Sequence, residues 1–206
     1  MTRDTHFPCQ TLSAAIVLLG LWAPTAGHAA PDTPKHPVLV GTELAAAHFQ
    51  KGEFASAVAE LEKALAKARA AAPLEIRKAV VVHKPHTGLG IYEPAPRNQV
   101  LNRELRLYVE VAGFTYRKLP TPAGEERFQT NLNVTGTFFM DGAPLGERSL
   151  GSHSFVTRTP TGLTSFGVEA LLGPKAPAGA YEIILRVSDA NSNKSAAYRT
   201  HFVITP

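Results

Sequence analysis

Two histidines separated by two residues, His83-Lys84-Pro85-His86, come nearest in this chain to a metal signature. Neutral imidazoles bind zinc or copper, and a pair in one loop can share an ion. His153 or His201 would have to complete the set, yet no further ligand stands at a matching spacing, and Pro85 restricts the loop. His83 and His86 therefore read as members of a polar surface loop, and no metal or other cofactor is expected. The most chemically varied stretch is Tyr92-Glu93-Pro94-Ala95-Pro96-Arg97-Asn98. Its prolines limit the freedom of the chain, so polar groups carried there lose little entropy on binding. Tyr92, Glu93 and Arg97 are accordingly the candidate ligand-binding residues, suited to a polar ligand. The competing reading is a rigid connection in which Glu93 or Asn98 bonds local backbone.

No catalytic set emerges, and no catalytic residue is assigned. Ser152, Ser154 and Ser165 lie outside any Gly-x-Ser-x-Gly elbow. Ser152 and His153 are adjacent, and neighbours on a strand point to opposite faces. Glu125-Glu126 sits in a polar loop beside Arg127, and Gly88-Leu89-Gly90 lacks the following helix that a phosphate cradle needs.

These residues must be positioned by an exported, β-rich chain. Arg3 precedes an apolar run over 13–22, Pro24 follows, and small residues Gly27 and Ala29 stand where a signal peptidase would cut. The run is shorter than the ~20 apolar residues that span a bilayer. The reading is a signal peptide over 1–29, with a periplasmic or secreted product that has no stable membrane insertion. Cys9 is the sole cysteine and precedes the apolar run, so lipid attachment and disulfides are not expected. The net charge of +4 is spread along the chain without a basic run longer than two residues, so nucleic acid is not an expected partner.

A proline-rich spacer is expected over 30–41. Over 42–73, alanine is dense and Phe54, Val58, Leu61, Leu65 and Ala68 recur at helical spacing, opposite Glu53, Glu60, Lys63 and Lys67. Thr42 is the expected N-cap and Pro73 the stop, with Gly52 dividing a short helix from a longer one. The stretch 45–65 resembles one tetratricopeptide unit. No second copy follows, and such units bury their faces by stacking. The favoured reading is a hairpin that packs on or caps the β domain.

Over 74–206 the period becomes two. Leu105, Leu107, Val109 and Val111 alternate with polar neighbours, as do Ile183, Leu185 and Val187. Eight strands are expected, over 78–83, 90–92, 105–111, 129–140, 154–158, 165–172, 181–188 and 198–204. Asp141-Gly142 marks a hairpin, and the polar run from Asp189 to Asn193 marks a tight turn. Pro177-Ala178-Gly179-Ala180-Tyr181 suits a tyrosine corner. The expected fold is mainly β: an antiparallel, immunoglobulin-like sandwich of about eight strands behind a helical hairpin.

Several segments together resemble a group of uncharacterised exported proteobacterial proteins: Pro73-Leu74, the run 88–94, Asn98, Glu104, 107–110, Gly113-Phe114, 177–181, 187–189 and 194–196. The resemblance runs from about residue 53 to the end. It implies a β-sandwich behind a helical segment in the cell envelope and supplies no activity. The functional expectation is a non-enzymatic binding or interaction module whose partner is an envelope protein or a glycan. One alternative is a hydrolytic or metal-dependent envelope enzyme using His83, His86 and Glu93. Another is an accessory subunit docking through its helices.

Overall fold

The computed structural model describes residues 36–121 and 125–205. The signal peptide expected over 1–29 lies outside the described residues. In chain order the elements are helices α1 (Pro37–Gln50) and α2 (Phe54–Ala71), then strands β1 (Glu75–Val81), β2 (Gln99–Val100), β3 (Glu104–Ala112), β4 (Arg117–Leu119), β5 (Arg127–Met140), β6 (Ala143–Thr157), β7 (Leu163–Leu171), β8 (Gly179–Asp189) and β9 (Ser195–Ile204). The protein is mainly β with two N-terminal helices, as its periodicities predict.

The strands form two sheets. One has the order β1-β3-β7 and the other β2-β9-β8-β5-β4, with β6 along the opposite side of β5. Every pairing is antiparallel except the two-residue match of β2 to β9. Alternate residues of facing strands share one core: Leu105, Leu107, Val109 and Val111 with Leu132, Val134, Phe138, Ile183, Leu185, Val187, Phe202 and Ile204. Burying such side chains is the main force that holds the sheets together, at roughly 1.5–3 kcal/mol each. Two punctuation marks behave as their sequences predict. Asp141 and Gly142 both take left-handed angles, φ 50° and 78°, and link β5 to β6 as a two-residue hairpin loop. Tyr181 buries its ring and donates its hydroxyl to the Pro177 carbonyl at 2.8 Å.

Five expectations need correction. The spacer over 30–41 gives way to helix at Pro37, whose missing N–H costs nothing in the first turn. His36 is the N-cap, its Nδ1 accepting from the Val38 amide at 3.3 Å, while Thr42 lies inside the helix and bonds back to the Leu39 carbonyl. No strand forms over 90–92; Gly88 and Ile91 make an isolated bridge within a loop. The strand expected over 154–158 is the end of a much longer β6, most of whose residues are exposed on both faces. From Ala143 to Ser149 the strand is wet on both faces and has no alternation to read, whereas Leu150 and Phe155 further on pack against the core. Finally, Phe54, Val58, Leu61 and Leu65 do not face a core. All four are about half exposed, whereas Ala57 and Ala64 are buried against Gly41 and Ala45 of α1. Small residues bring the helices close: a β-carbon on Gly41 would lie 2.9 Å from that of Ala64. The helical period marks two neighbouring stripes, and the narrow one made the seam.

Candidate binding site

Of the residues singled out in the sequence, Tyr92 and His86 both pack on Tyr108, and the others do not join them in one site. Tyr92 is half-buried and stacks on Tyr108, with ring centroids 4.2 Å apart. Tyr108 sits on the outer face of the three-stranded sheet, yet it is fully buried because the loop over 83–94 folds across it. The Gly90 amide donates to its hydroxyl at 2.6 Å, the hydroxyl donates to Glu110 at 2.7 Å, and the His86 ring meets it edge-on at 5.2 Å. Burial raises the pKa of the Tyr108 phenol. The Lys78 ammonium lies 5.4 Å from the Tyr92 ring centre and 3.8 Å from Glu110. Hydrogen bonding to Tyr92, then the Glu110 charge, raise its pKa. This cluster is satisfied internally and holds the loop down.

Glu93 is exposed and pairs with Lys84 at 3.4 Å. Arg97 is exposed, with φ 52° in a single turn over Pro96–Asn98. Among the described residues no hydrogen bond or ion pair joins Tyr92, Glu93 and Arg97. His83 takes part through its backbone, accepting from Arg106 at 3.2 Å. Among the described residues, no group of three or more His, Cys, Asp or Glu side chains could hold a metal ion.

His153 lies near His86, yet the two belong to no group of three that could hold a metal ion among the described residues. Its ring stacks on Phe166 at 4.3 Å, and its Nε2 is buried without a partner. Burial, then the nearby His86, lower its pKa below the ordinary 6.5. The folded state therefore favours neutral imidazole. Its contribution to stability is complete above pH 6.5 and is lost as pH falls from there through the lowered folded-state value. His153→Phe keeps the stacking and removes the orphaned nitrogen. It is expected to stabilise the protein by about 1 kcal/mol at pH 7 and to flatten the loss of stability below pH 6.5. Urea denaturation at pH 5 and pH 7.5 checks both; an unchanged pH slope would place the acid sensitivity elsewhere.

A cavity shaped to take a ligand lies where β5 and β7 end and β8 begins. It has a volume of about 460 Å³ and is lined by residues of two stretches of chain, 138–148 and 172–181. Phe138 and Met140 come from the end of β5, and Leu145 and Arg148 from the start of β6. Leu172 and Pro174 to Pro177 come from the β7–β8 connection, and Tyr181 from β8. Each wall has a local cause. A bulge at Leu145, between the pairs Gly146–Phe138 and Pro144–Phe139, breaks the ladder there, and Leu145 and Gly146 line the opening. The β7–β8 connection is pinned by Leu172 donating to the Arg103 carbonyl at 2.9 Å and Arg103 donating to the Ala176 carbonyl at 3.2 Å. Tyr181 anchors its far end through Pro177, and burial raises the pKa of its phenol, keeping that donor protonated.

Charge at the mouth has one sign. The Arg148 guanidinium lies 6.0 Å from the Phe138 ring centre, and Lys175 is exposed on the opposite loop. No acidic residue lines the cavity, and neither cation pairs with a carboxylate among the described residues. The arrangement offers apolar walls with two cations at the rim, which suits a molecule with an apolar body and an anionic end. Sequence reasoning missed this site because its residues are scattered over 138–181, and the one motif among them, the tyrosine corner of Pro177 and Tyr181, announces a strand entry and not a cavity. The usable signals were the apolar residues Leu145, early in β6, and Leu172, after β7, and the proline pair around Lys175.

No protein-family model matches the chain, and no curated protein does. One solved structure with a similar arrangement is a family 123 glycoside hydrolase from Clostridium perfringens, described for glycolipid glycan hydrolysis. The match has a TM-score of 0.38 and 11% identity over 65% of this chain and 27% of that one. The chain thus spans about a quarter of that enzyme's length. A likeness this distant assigns neither activity nor substrate. Among the described residues, no helix is long and apolar enough to cross a membrane.

Proposed function

We propose that the chain is an exported, non-enzymatic binding module of the cell envelope, and that it holds an amphipathic organic anion in the cavity beside Tyr181. The observation that carries this reading is the pairing of apolar walls with Arg148 and Lys175 in a lining without an acid. A medium-chain alkyl carboxylate or an aryl carboxylate has the matching chemistry: its body displaces water from Phe138, Met140 and Leu172, and its carboxylate meets the two cations. The run over 13–22 supports export, and the Tyr181 hydroxyl on Pro177 supports an immunoglobulin-like reading of the sandwich. The resemblance to exported proteobacterial proteins points the same way. Tyr92, Glu93 and Arg97 are not part of this site.

Calorimetric titration with decanoate and with decanol tests the reading. Decanoate is expected to bind saturably. Decanol, or decanoate with the Arg148→Glu/Lys175→Glu variant, is expected to bind about tenfold more weakly, since exposed ion contacts contribute up to ~1 kcal/mol each. Binding that ignores both changes refutes the assignment, as does the absence of saturable binding for decanoate and naphthoate alike.

A further inference from the structure

The helical hairpin carries an apolar face that nothing in the described residues covers. Phe54, Val58, Leu61 and Leu65 of α2 lie on one stripe at helical spacing, and Phe49 of α1 joins them through an edge-to-face contact with Phe54 at 5.2 Å. All five are about half exposed. A shallow apolar groove of about 360 Å³ runs between the helices on that side, lined by Thr42, Ala45, Ala46, Phe49, Ala57 and Leu61. The sandwich does not cover it: the bonds joining hairpin to sandwich are Arg69 to the Pro160 carbonyl and Lys194 to the Ala70 carbonyl, both at the C-terminal end of α2.

Two quantities say what fits there. The first is area. Five side chains about half exposed present on the order of 500 Å² of apolar surface, at the upper end of what a monomer leaves bare. With the small residues around them, the face approaches the ~800 Å² that each partner contributes to a standard stable interface. The second is charge. The hairpin from Pro37 to Ala71 holds Glu43, Glu53, Glu60 and Glu62 against Lys51, Lys63, Lys67 and Arg69, so its net charge is zero. Lys63 and Lys67 fall on the side of α2 away from the apolar stripe, at 100° per residue. An anionic membrane or a strongly charged partner would gain nothing from such a face. A second copy of the same hairpin meets no like-charge repulsion and matches it in length, breadth and polarity.

We propose that two copies of this chain dock through the hairpin face, stacking α1 and α2 on their counterparts as a four-helix layer with two-fold symmetry. Small residues spent on the seam within each hairpin leave the large ones for the seam between hairpins. The sandwiches and their cavities then project from this layer. The proposal stands independently of the ligand assigned to the cavity.

Sedimentation equilibrium of the purified full chain, from micromolar to ~100 µM, tests it alongside Leu61→Glu/Leu65→Glu, which sets like charges on the seam. The wild type is expected to show the mass of two copies. The double variant is expected to show one copy at all but the highest concentrations, its dissociation constant raised at least about a hundredfold by burying unpaired charge. Its circular dichroism and urea midpoint are expected to stay near wild type, because both positions are exposed in the single chain. A single-copy wild type at ~100 µM overturns the proposal, whether residues 1–35 or another protein then covers the face. A double variant that remains dimeric overturns it too, because the copies would then meet elsewhere, such as along the open edge of β6. If the double variant unfolds, Phe49→Ser takes its place, with the same dimer-to-monomer shift expected and the same outcome decisive.

Discussion

Replacing Asp189 by alanine is expected to cost about 3–5 kcal/mol of folding stability, enough to leave a marginal domain partly unfolded at 37 °C. The carboxylate is 2% exposed at the end of β8. One oxygen accepts from the Thr115 amide and the Ser192 hydroxyl, both at 2.7 Å, and the other accepts from the Asn191 amide at 3.0 Å. Asn191 extends the junction by donating to the Thr115 and Gln129 carbonyls at 3.0 and 2.9 Å. Thr115 follows β3 of one sheet, while Gln129 belongs to β5 of the other, so this turn ties the two layers at one corner. Alanine would leave three donors without acceptors, and hydrogen bonds to a charged group contribute roughly 1.5–3 kcal/mol each. Water can reach part of the junction, which keeps the total below their sum. Asp189→Asn retains an acceptor oxygen but sets an amide against a backbone N–H, so a loss of about 1–2 kcal/mol is expected. Urea denaturation at pH 7, with Ser188→Ala as the control, resolves these values. A loss below about 1 kcal/mol for the alanine variant would mean that the corner is held by the core alone.

Asp189 shows how far the sequence could be read. The polar run from Asp189 to Asn193 announces a turn, because its side chains compete for local backbone groups. That one of these side chains also reaches Thr115, seventy-four positions away, depends on which strands are neighbours. Alternation is silent on neighbours. For the same reason Leu105, Leu107, Phe138, Ile183 and Leu185 announce their burial, while Tyr108 misleads. Its parity puts it on the wet face of β3, and only the tertiary placement of Tyr92 and His86 over it makes that face dry. Periodicity fails differently on α2. It identifies Phe54, Val58, Leu61 and Leu65 as one stripe, but it cannot say whether the stripe's partner lies in the same chain. The cavity beside Tyr181 was least legible of all. Its walls come from a bulge, a loop and a strand end, and none of these has a repeating pattern.

The joint between hairpin and sandwich gives the second large effect. Gly113 follows β3 with φ at 74°, a left-handed angle that costs an L-residue roughly 1–2 kcal/mol. Space is the greater obstacle. A β-carbon there would lie 1.9 Å from the Pro73 carbonyl oxygen and 2.8 Å from its carbon, so backbone must move. Pro73 and Leu74 are the link from α2 to β1, and Leu74 is itself part of the core. Gly113→Ala is therefore expected to cost about 3–5 kcal/mol, more than the conformational penalty alone. Gly52 supplies the comparison. Its φ is 79°, and a β-carbon there meets nothing within 4 Å, so Gly52→Ala should cost only the angle, about 1–2 kcal/mol. The difference between the two variants isolates the collision. Lys194 tests where that strain goes. Its ammonium donates to the Gly113 carbonyl at 3.0 Å and to the Ala70 carbonyl at 2.8 Å, so it spans the same joint. Lys194→Met alone should cost about 1 kcal/mol, and in the Gly113→Ala background it should cost almost nothing, because displacement of Pro73 has already parted its acceptors. If the two glycine variants lose equal stability, or if the Lys194 cost is fully additive, the link absorbs the methyl group by a local shift and the joint is softer than its geometry implies.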